Sequence, residues 1–119
     1  MAKDYDSRSD SLYLYITDEY EYNESVEIDN DVILDFDKNL VPVAIEFLGA
    51  SKLLGVSKFS IMNLRTLTMH IYTNEKIISI KACFTVPVHK KEIKSPIEVT
   101  TANDINIPHM QSSFEVTIA

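Results

Sequence analysis

The stretch DFDKNLVPVAIE places Asp35, Asp37, Asn39 and Glu46 at relative positions 1, 3, 5 and 12, where an EF-hand loop carries oxygen ligands. Carboxylate and amide oxygens at that spacing suit a hard divalent cation, because together they replace its water shell. The rest of the motif is missing. The sixth position, which must turn through a left-handed conformation, holds Leu40 where glycine belongs. The eighth holds Pro42, which has no N–H to tie one loop to another. Both flanks alternate with period 2 and read as strands. A hairpin explains the same residues: VILDFD runs one way, Lys38-Asn39 turns, and LVPVAIEF returns, with Asn39 the residue best suited to a positive φ. Asp35 and Glu46 would then lie near one another across the pair, either solvated on an open face or gathered around a cation.

Elsewhere reactive groups are sparse. Asp6 and Asp10, in DSRSDS, join Asp35, Asp37 and Glu46 as the candidate acidic site. Their plainer role is to close a turn into the first long strand. Carboxylates without a base, a nucleophile or a phosphate loop can hold a cation but define no reaction, so no catalytic residue is assigned. His70, His89, His109 and Cys83 match no zinc spacing, and no metal site is assigned. His70 is expected on the outer face of a strand, and Cys83 as a buried or half-buried small residue. G-x-S-x-G, the P-loop and the dinucleotide fingerprint are all missing, and with two glycines no phosphate cradle or cofactor is expected. Tyr5, Tyr13, Tyr15, Tyr20 and Tyr22 lie among carboxylates, which suits a core edge or a protein interface better than nucleic-acid stacking.

The elements that must position these groups are mostly strands. SLYLYIT sets Leu12, Leu14 and Ile16 against Tyr13 and Tyr15. SVEIDNDVILDFD alternates on both sides of Asp29-Asn30-Asp31, and VPVAIEFL follows with Val41, Val43, Ile45 and Phe47 on one face. Two helical turns interrupt the pattern: ASKLLG, stopped by Gly55, and SKFSIMNLRT, which Ser57 can cap. Beyond them TLTMHIY and KIISIKACFTV flank the polar TNE as a hairpin. VHKKEIKSPIEVT reads as a turn and a short strand with Pro96 favouring an edge, TANDINIPHMQ as a loop, and SFEVTIA as the last strand. The expectation is an α+β domain, predominantly antiparallel β, with one or two short central helical turns.

The 119 residues fit a single domain, 45% hydrophobic, able to build a core without disulfides. Cys83 is alone and no run resembles a secretory signal or a membrane helix, so a reducing cytoplasm is the expected home. The net charge of −7 is unevenly spread: residues 1–50 hold 13 acidic against 3 basic side chains, and residues 51–119 hold 5 against 8. That polarity argues against nucleic acid, which needs a broad basic face. It suits a basic protein partner, a cation, head-to-tail self-association, or simply a solvated acidic surface.

YDSRSDSLYLYI followed by VILDFDKNLVPVAIEFLGASK resembles the domain-of-unknown-function family 2283, whose members read Y-D-x-x-x-D-x-L-Y-I and then a G-V-I-L-D-Y-D-x-x-G-x-V-V-G-I-E-I-L-x-A-S-like segment. The matching residues are Tyr5, Asp6, Asp10, Leu12, Tyr13, Asp35, Asp37, Glu46, Ala50 and Ser51. Leu40 stands where the family has a turn glycine, which suggests a shifted turn. Gly49 replaces a frequently acidic residue and removes one carboxylate from an acidic site. The resemblance implies a compact sheet over about residues 4–54 and no known activity. Residues 56–119 then form a β-rich extension packed on it, of a kind seen in archaeal members. The functional expectation is a non-enzymatic β module that forms a homodimer or binds a protein. A cation-binding or small-ligand domain, and an antitoxin-like partner of a basic protein, stand as alternatives.

Overall fold

The computed structural model describes residues 2–17, 21–29 and 31–117. Tyr20, Asn30 and the last two residues of SFEVTIA lie outside that set. The strands are β1 (Ala2–Asp6), β2 (Ser11–Tyr15), β3 (Tyr22–Ile28), β4 (Val32–Asp37) and β5 (Pro42–Phe47), then β6 (Thr66–Thr73), β7 (Ile77–Val88), β8 (Lys91–Ala102) and β9 (Met110–Thr117). Between the two groups come α1 (Ala50–Leu54) and α2 (Lys58–Met62). The expected α+β, mostly antiparallel architecture is the one that forms. β1 goes beyond the sequence pattern. AKDYD shows little apolar alternation, but it pairs with β2 from Ala2↔Tyr15 to Asp6↔Ser11 and becomes a sheet edge.

Two antiparallel sheets result, in the orders β1-β2-β5-β4-β3 and β8-β7-β6-β9. Alternation decides which face of each is buried. From the first sheet Leu12, Leu14, Ile28, Val32, Leu34, Ile45 and Phe47 are fully covered. From the second Leu67, Met69, Ile78, Ile80, Phe84 and Val86 are covered as fully. All belong to one continuous apolar cluster. Phe47 meets Phe84 edge to face across it, ring centroids 5.2 Å apart. The apolar faces of the two halves therefore cover one another within a single chain.

The short helices end where their sequences say. Gly55, at φ 69°, closes α1: its N–H reaches the Lys52 carbonyl at 3.2 Å, and that of Val56 reaches Ser51 at 3.0 Å. These are the two bonds of a Schellman cap. Ser57 caps α2, its hydroxyl accepting from the Ser60 N–H at 3.2 Å. Pro96 lies on β8, which is an edge strand as its missing donor requires. β8 is nonetheless 12 residues long, because Lys91–Ala102 pairs along the whole of β7. The loop to β9 crosses the sheet to pair with β6. Buried Thr73 holds that loop in place, donating to the Pro108 carbonyl and accepting from the Met110 N–H.

Candidate functional site

The β1–β2 turn returns the chain through Asp10, whose φ is 57°. Asp6 shapes that turn by accepting the Arg8 N–H at 2.9 Å. Asp10 points inward and is 9% exposed. One carboxylate oxygen takes the Tyr5 hydroxyl at 2.5 Å and the other the Ser51 hydroxyl at 2.6 Å, while the Ser51 N–H lies 3.1 Å from both. The Asp10 carbonyl accepts the Ala50 N–H at 2.8 Å. The helix α1 has glycine at its own N-cap, so Asp10 supplies the missing cap from 41 residues away. Burial pushes the Asp10 carboxyl up. The Ser51 and Tyr5 hydroxyls, the Ser51 N–H and the Lys58 charge outweigh it, and the group settles below its ordinary value. The Tyr5 phenol is pushed up to about 12, by burial first, then by its bond to Asp10 and the charges of Asp10 and Asp6.

Asp35 repeats the arrangement on β4. It is 8% exposed and takes the Tyr13 hydroxyl at 2.5 Å and the Ser25 hydroxyl at 2.6 Å. The register explains it: Tyr13 pairs with Glu46 and Asp35 with Ser25 and Ala44, so all of them stand on one face. Glu46 lies opposite Ile33, two pairs along from Asp35. The two carboxylates are thus diagonal neighbours rather than directly opposed. Burial and then the Asp35 charge raise the Glu46 carboxyl above its ordinary value.

Asp37 closes the β4–β5 hairpin. Its carboxylate accepts the N–H groups of Asn39 at 2.8 Å and Val41 at 3.0 Å, and its carbonyl accepts that of Leu40 at 3.0 Å. The expectation that Asn39 takes the positive φ is corrected here, because Leu40 does, at 61°. The turn is not shifted either. A three-residue loop with its last member left-handed is what the family's glycine would form, and Leu40 adopts that geometry with its side chain against the core.

Of the five candidate carboxylates the structure brings Asp35 and Glu46 together and keeps Asp10 and Asp37 in separate structural roles. Asp6 shares the outer face with Glu46, and Asp4 joins them in the cross-strand row Asp4↔Tyr13↔Glu46. Asp4, Asp6, Tyr15 and Glu46 line a shallow depression of about 230 Å³. Tyr13 and Tyr15 lean together beside it, ring centroids 4.6 Å apart. Among the described residues no three His, Cys, Asp or Glu side chains come together to hold a metal ion. His70 is exposed on the outer face of β6, hydrogen-bonded to Ser113 at 2.7 Å, and Cys83 is half-buried. Ser25 and Asp4 were open to prediction by alternation with Val26 and Tyr5, once β1 is known to be a strand.

A second concave surface lies between the helices and the tip of the β7–β8 hairpin, with a volume of about 790 Å³. His89 and Lys90 make the hairpin turn with φ 50° and 65°. The walls carry Phe59, 69% exposed, and Ile93, 41% exposed, beside Lys90 and Lys94. Nothing in the sequence pattern marked this surface, because its two walls are about 35 residues apart. Among the described residues no helix is long and apolar enough to cross a membrane.

Residues 4–51 match the model of a family described as "Protein of unknown function (DUF2283)". The matched segment is the first sheet together with the two residues that Asp10 holds at the start of α1. A Methanosarcina mazei protein named "Putative hypoxanthine phosphoribosyltransferase" is 26% identical over 113 residues, spanning 95% of this chain and 90% of that protein. That alignment extends past the family match into the residues of the second sheet. No solved structure matches the chain significantly.

Proposed function

We propose that this protein is a non-enzymatic β module that works by self-association or by binding another protein. The observation that carries this reading is its pair of unlike surfaces: an acidic, tyrosine-bearing outer face on the first sheet, and a lysine-rimmed groove with exposed Phe59 and Ile93 beside the second. Exposed aromatic and aliphatic side chains inside a concavity favour a protein ligand. The residues that resemble the family signature have structural employment, since Tyr5, Asp10 and Ser51 lock α1 to the first hairpin and Tyr13 and Asp35 bond across the sheet.

Phosphoribosyl transfer, named for the Methanosarcina relative, has weaker support. It needs cradles for a phosphate and a pyrophosphate, commonly built from glycine-rich backbone at a helix start. Both glycines of this chain flank the five-residue α1. Light scattering across a concentration series, with native pull-down and mass spectrometry, tests the proposal. Concentration-dependent mass or a stoichiometric protein partner is expected. A monomer that captures nothing, or one that turns over hypoxanthine with a phosphoribosyl pyrophosphate donor, overturns it.

A further inference from the structure

We infer that the lysine-rimmed groove receives the acidic outer face of a second copy of this chain, an inference that rests on the self-association reading above. The two surfaces share no residue and are complementary in two respects. The groove offers apolar Phe59 and Ile93 with Lys90, Lys94 and His89 around them. The outer face offers Tyr15 with Asp4, Asp6 and Glu46. Asp4 and Asp6 are exposed, and so are Lys90 and Lys94. The cations beside the acidic patch are Lys3, which precedes Asp4 but reaches the Met62 carbonyl, Arg8 in the turn after Asp6, and Lys58, which reaches the Ser7 carbonyl, while Glu92 is the acid flanked by the groove lysines. The depression itself is lined by Asp4, Asp6 and Glu46 with no cation, and the groove by Lys90 and Lys94 with no acid.

Within one chain these charges find few partners. Among the described residues the ion pairs are Lys38 with Glu21 and Lys81 with Glu98, and both lie outside the two patches. The apolar faces of the sheets are already covered by one another, so sheet-on-sheet stacking of two copies has little left to bury. The groove and the acidic face remain. A contact between two different patches is heterologous, so in an open pair one copy retains a free acidic face and the other a free groove unless the pair closes reciprocally.

The test is complementation between two charge-reversed proteins, Lys90→Glu/Lys94→Glu and Asp4→Lys/Glu46→Lys, with the neutral pair Asp4→Asn/Glu46→Gln as a milder second variant. Thermal melts establish that each is folded. The wild type is expected to associate at low salt and to loosen about tenfold when sodium chloride is raised well above physiological strength. Each reversed protein alone should associate at least about tenfold more weakly, and an equimolar mixture should regain association, because the unreversed acidic face of one meets the unreversed groove of the other and the two reversed patches are complementary as well. If the wild type associates and both reversed proteins associate as tightly, the inference is overturned while the self-association reading stands. A wild type that stays monomeric at about 100 µM overturns both. Capture of a foreign protein that is lost with Lys90→Glu/Lys94→Glu, by a chain that is itself monomeric, also overturns it and assigns the groove to that partner.

Discussion

Asp10 and Asp35 are built from the same parts and used differently. Each is about equally buried, and each takes one tyrosine hydroxyl at 2.5 Å and one serine hydroxyl at 2.6 Å. The difference lies in what else is near. Asp10 also receives the Ser51 N–H and feels the Lys58 charge, and its carboxyl is held low. Asp35 has a second carboxylate, Glu46, as its neighbour, and that neighbour is pushed up. The same pair of hydroxyls thus stands in two settings, one completed by a backbone donor and a lysine charge, the other beside a second carboxylate.

The comparison breaks most readily at Asp10. Asp10→Ala leaves the Ser51 N–H, two hydroxyls and the start of α1 without their acceptor, and should cost about 3 kcal/mol in urea unfolding. Asp35→Ala removes two hydroxyl bonds but also relieves Glu46, so a cost of about 1–2 kcal/mol is expected. Equal losses at the two sites would mean that the backbone donor and the neighbouring charge contribute nothing.

The pH dependence reports on Asp10 and on Tyr5, its hydroxyl donor. A carboxyl held below its unfolded value near 3.8 stabilises the fold fully above that value and loses the contribution as pH falls through its folded one. The stability gap between wild type and Asp10→Asn should therefore close in acid. At the alkaline end Tyr5, held near 12 against 10.0 unfolded, stabilises the fold below pH 10.0 and loses that as pH rises towards 12. Tyr5→Phe should cost about 1 kcal/mol at neutral pH and lack this alkaline loss.

Glu46 runs in the opposite sense and gives the smallest effect. Its raised carboxyl favours the fold below the unfolded value of 4.5, and that contribution is gone once it ionises. Glu46→Gln should raise stability by a few tenths of a kcal/mol at neutral pH and change nothing in acid, as is usual for a partly exposed group. In an Asp35→Ala background the gain should shrink, which a double-mutant cycle reads directly.

The acidic candidates show what local patterning can and cannot reach. Strand alternation placed Asp35 and Glu46 each on the side away from the apolar residues of its own strand, and the hairpin set those sides together. The same argument could not reach Asp10, whose donors come from residue 51, nor distinguish an inward carboxylate from a turn residue. Leu40 shows a different limit. Propensity favoured Asn39 for the left-handed position, but the bulge after Asp35 and the three-residue loop assign it to Leu40.

By itself the sequence determined the strand-rich class, both helix caps, the edge position of Pro96 and the division of charge between the halves. All of these follow from residues within a few positions of one another. Only the tertiary structure decided that β1 is a strand, that the two sheets bury each other, and that Tyr5, Asp10 and Ser51 form one lock. It alone formed the groove between α2 and the β7–β8 tip. Those features need partners distant in the chain, and sequence periodicity carries no information about which distant partner a face will meet.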